Sequence, residues 1–295
     1  MPQRLLAKEG GEERQPRTGQ VMVAEPLDRA DLNLHGSEDR RIKFARWLTS
    51  AGSEMFSKNI VNRIWARLFG AGIVDPVDDL RSTNPPRNQR LLDTLARDMI
   101  GHHYDMKYLM ATIMKSRTYQ SSSTPTRLNK IDTQFFSHYP VRRLPAEELM
   151  DAVAQVTGVP DKFATYALGT RAIELSDIEL ASLSLDTFGR PPRVMPTDGE
   201  RCNAPSMSQA LDLLNGEALQ AKLKNPEGNL ARLLKSGLPN AALVEELFLT
   251  ALSRRPSPKE LADTLKILPQ APSRAEGMQD VLWALINSKE FMFNH

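Results

Sequence analysis

A chain of 295 residues with a net charge of +2, of which 25% are charged and 41% hydrophobic, has the balance of an ordinary globular protein. That charge does not by itself point to nucleic acid or to an anionic membrane surface. The lone Cys202 excludes an internal disulfide, a multi-cysteine metal site and the C-x-x-C-H attachment of a c-type haem, and no apolar run is long enough for a membrane span.

In chain order, residues 1–36 are polar, without sustained period, and read as an arm or linker. Met1–Gly11 lacks the apolar core of a signal peptide, so a complete protein of this sequence is expected in the cytoplasm. From Ser37, a candidate N-cap, the pattern turns helical through Ile42, Ala45 and Leu48. Ile60, Val61, Ile64, Trp65 and Leu68 form the apolar face of a second helix, which Gly70 ends. A third runs from Asn88 through Leu91, Leu92, Leu95, Ala96, Met99 and Ile100. A fourth follows Asp105, with Met106, Leu109, Met110 and Ile113 expected inward. After a Ser/Thr/Pro loop at 121–126, Pro145 opens a helix faced by Leu149, Met150, Val153 and Val156, and Gly158 closes it.

Residues 163–187 are ambiguous: Arg171–Leu175 alternates like a strand, while 178–187 fits either a strand or a short helix. The stretch Leu185–Leu211 then breaks the helical pattern, because Pro191, Pro192 and Pro196 forbid both a helix and a central strand. Helices return with capping-box spacing at Ser206 and Gln209, Ser257 and Glu260, and Ser273 and Glu276. The expected fold is mainly α: a multi-helix globular bundle with a long irregular loop and at most a small β-hairpin in the middle. Residues 37–295 are expected to form a single helical domain, with 37–120 as its first helical part, 121–205 as an irregular middle and 206–295 as the C-terminal helices.

Several ordered motifs carry a family resemblance. They are Val61-Asn-Arg-Ile-Trp-Ala-Arg-Leu-Phe-Gly, Asp78-Asp-Leu, Ser116-Arg-Thr-Tyr-Gln, Arg142-Arg-Leu-Pro-Ala-Glu-Glu-Leu, Phe188-Gly-Arg-Pro, Glu200-Arg, Pro205-Ser-Met-Ser-Gln, and the ending from Trp283. From about Asp39 to the last residue the chain resembles the planctomycete-specific domain of unknown function 1553. The resemblance implies the C-terminal part of a secreted or periplasmic polypeptide, following a cytochrome-c-like domain and another domain of unknown function. It implies no settled activity. Where the family pattern has two cysteines before the Glu-Arg pair, this chain has Thr197 and Gly199. A thiol-based role is therefore not carried over.

The candidate ligand-binding residues of the loop are Asp186, Arg190, Arg193, Asp198, Glu200 and Arg201. Carboxylates and planar guanidinium forks suit sugar hydroxyls or an anionic group, and equally suit bracing of the loop itself. Arg143, Asn62 and Arg63 join the candidates, although Asn62 and Arg63 lie off the apolar face of their helix. The structural alternative for them is solvent, or bracing of Arg63 against a carboxylate such as Asp79. Asp75, Asp78 and Asp79 lack EF-hand spacing, and His102 and His103 suit a helix C-terminus better than a metal. No metal or haem cofactor is expected. Two functional readings follow: a docking module for preceding domains of a parent polypeptide or for a companion protein, or a polysaccharide-binding or glycoside-hydrolysing module with a charged cleft under 186–201. Rings beside paired carboxylates would favour the second, and Phe163, Tyr166 and Phe188 are the available ones.

Overall fold

The computed structural model describes residues 13–22, 38–50, 53–177, 180–191 and 216–294. The fold is mainly helical, with two compact units, Met1–Tyr119 and Gln120–His295.

The first unit contains a small hairpin and four helices among its described residues. Strands β1 (Glu13–Arg14) and β2 (Val21–Met22) pair antiparallel, Glu13 opposite Met22, within the polar arm. Helix α1 spans Arg40–Leu48 and is capped by Asp39, which accepts from the Arg41 amide. It buries none of its residues, so the expected Ile42, Ala45 and Leu48 face is not a core face. Helix α2 (Glu54–Phe69) ends at Gly70 in the left-handed conformation that a Cβ would disfavour. Helix α3 (Gln89–Gly101) starts at Asn88, whose side chain accepts from the Leu91 amide. Helix α4 (Met106–Met114) starts at Asp105, which accepts from the amides of Lys107 and Tyr108.

The core of this unit gathers Val61, Trp65 and Phe69 of α2, Leu92 and Met99 of α3, and Leu109 and Ile113 of α4. Trp65 stacks on Phe69 at 4.3 Å. Lys58 ties α2 to α3 by reaching Glu54 at 2.7 Å and Asp93 at 2.9 Å. The expectation for α4 is half corrected: Leu109 and Ile113 turn inward, but Met106 and Met110 are exposed. The unit's described core seats only one narrow stripe of that helix.

The second unit is built on α5 (Ala146–Thr157), α6 (Leu183–Thr187), α7 (Glu217–Leu223), α8 (Asn229–Lys235), α9 (Asn240–Leu252), α10 (Pro258–Ile267), α11 (Arg274–Ile286) and α12 (Lys289–Met292). Leu149, Leu185, Leu243, Leu247, Met278 and Leu282 are its fully buried centre, each worth about 1.5–3 kcal/mol on removal from water. The alternating Arg171–Leu175 segment is not a strand. Ala172–Glu174 form a 3-10 turn, because Asp151 of α5 accepts from the Ala172 and Ile173 amides and caps it. No hairpin forms in the middle of the chain among the described residues. Instead β3 (Arg142–Arg143) pairs antiparallel with β4 (Phe293–Asn294).

Ser257 and Glu260 complete their capping box, each accepting from the other's backbone amide. Ser273 accepts from the Glu276 amide, while its hydroxyl donates to the Glu276 carboxylate. The proposed box at Ser206 and Gln209 lies outside the described residues. Arg254, just past α9, donates to both Glu260 of α10 and Glu290 of α12, at 2.5–2.9 Å. Its guanidinium holds the Glu260 carboxyl down to about 2. One arginine thus fixes three helices at one corner.

Candidate functional site

Around Phe188 the second unit brings together three of the sequence candidates. Helix α6 is short, capped by Ser182, and the chain leaves it through Phe188 and Gly189. Gly189 takes a positive φ of 88°. That turn folds Arg190 back, so that its Nε and one terminal nitrogen donate to the same oxygen of Asp186, at 3.1 and 2.7 Å. The same terminal nitrogen also donates to the Leu180 carbonyl at 2.7 Å. Arg143, from β3, donates to the Phe188 carbonyl at 3.1 Å. Both guanidiniums therefore grip the segment that carries them or lies beside them. Arg193, Asp198, Glu200 and Arg201 lie outside the described residues, as do Thr197, Gly199 and Cys202.

Asn62 and Arg63 belong to the first unit, and for Asn62 the expectation of solvent is corrected. Asn62 is fully buried, with 0% of its surface exposed. Its amide nitrogen donates to the Val74 and Val77 carbonyls at 2.8 and 2.7 Å, and its oxygen accepts from the Val74 amide at 2.9 Å. The loop after α2 folds back over that side of the helix and needs polar partners for its own backbone. Arg63 pairs with Asp78 at 2.6 Å, not with Asp79, which is taken by Arg81 at 2.5 Å. Asp75 is taken by Arg87 at 3.1 Å. The acidic loop is thus cross-linked carboxylate by carboxylate. His102 caps α3, its Nδ1 at 2.9 Å from the Asp98 carbonyl and its ring stacked on Tyr108.

A cavity of about 390 Å³ opens beside the end of α5, and sequence reasoning did not single it out. Asp151, Gln155, Asp161, Phe163 and Arg171 contribute to its wall. Gly158 and Gly169, both at positive φ, are the signal of the turns that shape it. Its carboxylates are engaged: Asp151 by the two amides of the 3-10 turn, and Asp161 by Lys222 at 3.0 Å. No group of three or more His, Cys, Asp or Glu side chains able to hold a metal stands together among the described residues.

The family described as PSD1, Protein of unknown function (DUF1553), matches residues 40–268. This chain belongs to that family. The matched DUF1553 span opens at the first residue of α1 and closes after α10, so it takes in Asn62, Arg63, Arg143, Asp186 and Arg190. No curated protein and no solved structure matches the chain.

Proposed function

We propose that this DUF1553 chain is a docking module for preceding domains of a parent polypeptide, or for a companion protein, in a secreted or periplasmic planctomycete-type assembly with a cytochrome-c-like domain. One observation carries the reading. Two helices of the first unit leave apolar side chains in solvent: Ile42 and Phe44 on α1, and Met106 and Met110 on α4. Met106 and Met110 stand one helical turn apart, on the same side of α4. Methionine is the apolar residue that adapts most readily to a partner's relief.

The charged candidates support the same reading. Arg190 with Asp186, Arg63 with Asp78 and Asn62 with the loop backbone are engaged within the fold, which is what bracing requires. The polysaccharide reading retains the cavity beside α5, but sugar faces need exposed rings. Phe163 and Phe188 are only 8% and 3% exposed, and the Tyr166 hydroxyl is hydrogen-bonded to Ser176 and to the Asp177 amide.

The test is association of the chain with the separately produced preceding part of its polypeptide, followed by sedimentation velocity. A complex is expected with the native chain. Met106→Gln with Met110→Gln is expected to weaken it by about tenfold or more while the melting temperature holds. No complex with the native chain, or equal affinity in the double variant, would defeat the reading.

A further inference from the structure

The loop between Ser122 and Tyr139, in the second unit, is ordered by its own polar side chains. The Tyr139 amide donates to the Ser122 carbonyl at 3.1 Å and closes its base. Asn129 accepts from the amide and hydroxyl of Thr126 and donates to the Ser137 carbonyl at 3.0 Å. Asp132 accepts from the amides of Gln134, Phe135 and Ser137, at 2.8–3.0 Å. A loop built this way has a defined shape without an apolar core of its own.

Three of its apolar residues stand in solvent, while Phe136 is half-buried. Leu128 is 90% exposed, Ile131 91% and Phe135 71%. Arg127 and Lys130, both exposed, stand beside Leu128 and Ile131 in sequence, and neither makes an ion pair among the described residues. Asp132 is the only carboxylate between Gln120 and Tyr139, and its oxygens accept the three amides of the loop. The outward surface of the loop is thus apolar and cationic. The overall charge of +2 conceals this local arrangement.

We infer that the Arg127–Phe135 loop is a membrane-surface anchor, which seats Leu128, Ile131 and Phe135 among the acyl chains of an anionic bilayer while Arg127 and Lys130 meet its phosphates. Three side chains that stand almost free in solvent, rather than packed into a patch, do not present the flat, jointly buried core of a protein interface. A fluid surface accepts them without a matching relief, and basic neighbours add attraction to anionic headgroups. No helix among the described residues is long and apolar enough to cross a membrane, so the anchor is one that lies at the interface. This inference is independent of the exposed apolar residues of α1 and α4, which lie in the other unit and are proposed to meet a protein.

The experiment is co-sedimentation of the full chain with vesicles of phosphatidylcholine, with and without phosphatidylglycerol, at low and high salt. The native chain is expected to pellet with the phosphatidylglycerol vesicles, and less as salt rises. Leu128→Ser, Ile131→Ser and Phe135→Ser together are expected to lower the partition coefficient more than tenfold. Arg127→Glu with Lys130→Glu should remove the preference for the anionic vesicles. The single variant Phe135→Ser, with an intermediate loss, covers the case in which the triple variant fails to fold. The inference is overturned if the native chain stays in the supernatant, or if the folded triple variant binds as well as the native chain. It is overturned equally if the triple variant abolishes self-association of the chain and leaves vesicle binding unchanged, since the loop would then dock a second copy.

Discussion

The loop that follows α2 is gripped by a side chain of that helix in addition to its own ion pairs, whereas the loop that precedes β3 folds around its own Asn129 and Asp132. In the first case Asn62 reaches out of α2 to the Val74 and Val77 backbone, and Arg87, at the far end of the same loop, donates to the Gly72 carbonyl and to Asp75. The loop is drawn onto its helix, and Ile73 and Val74 are buried. In the second, Asn129 and Asp132 fold the chain around themselves, and Leu128, Ile131 and Phe135 are left outside. The origin of the anchor therefore decides where the apolar residues go. A loop gripped by its scaffold contributes to the core, and a loop that grips itself can present its apolar residues to something else.

Removing the grip of the helix side chain is expected to have the largest effect. Asn62→Leu keeps the volume but leaves the Val74 amide and two carbonyls without their partner. It is expected to destabilise the first unit by about 3–5 kcal/mol in a urea titration. Next comes Gly72→Ala: a Cβ there would run into the Val74 carbonyl oxygen and crowd the Asn62 amide. A loss of about 1–3 kcal/mol is expected in the same titration. Weakest overall is Asp132→Ala in the self-held loop. Faster hydrogen exchange at the Gln134, Phe135 and Ser137 amides is expected, with the melting temperature nearly unchanged.

Acid should separate the two loops as well. Asp132 is held well below the ordinary carboxylate range, first by the Ser137 hydroxyl and then by the Phe135, Gln134 and Ser137 amides. A depressed carboxyl stabilises the folded loop fully above its unfolded value of 3.8, and that contribution falls away as the pH drops further below it. The amide of Asn62 does not titrate. Exchange protection should therefore fade in the Asp132 loop under strong acid while the Val74 amide stays protected, as read by exchange-coupled mass spectrometry.

What the sequence disclosed were mostly local devices. Asn88, Asp105 and Ser257 cap the helices they were expected to cap, and Gly70 and Gly158 end theirs in the left-handed conformation. These signals depend on a few neighbouring residues, so a linear reading finds them. The burial of Asn62 depends on a loop returning over the polar side of α2, and helical periodicity reports only which side is apolar. Met106 and Met110 fail for the converse reason: an apolar residue on a helix need not have a core to enter. The alternation at Arg171–Leu175 misled because Asp151, 21 residues before Ala172, supplies the cap that turns the segment into a 3-10 helix. Of the site candidates, the Arg190–Asp186 pair was legible only as bracing of the loop, because the turn at Gly189 that folds Arg190 back past the end of α6 leaves no periodic signal.

The pairing of β3 with β4 has a consequence for how the second unit is made. Arg142 and Arg143, near its start, are bonded to Phe293 and Asn294, and the Leu144 amide donates to the Met292 carbonyl at 2.9 Å. A ribosome releases the first partner long before the second. During synthesis α5 can form and collect neighbours, but this seam must wait until Asn294 has cleared the exit tunnel, and closing so long a chain segment is slow. The growing chain therefore carries an open edge at Arg142–Arg143 until Phe293–Asn294 have emerged to shut it.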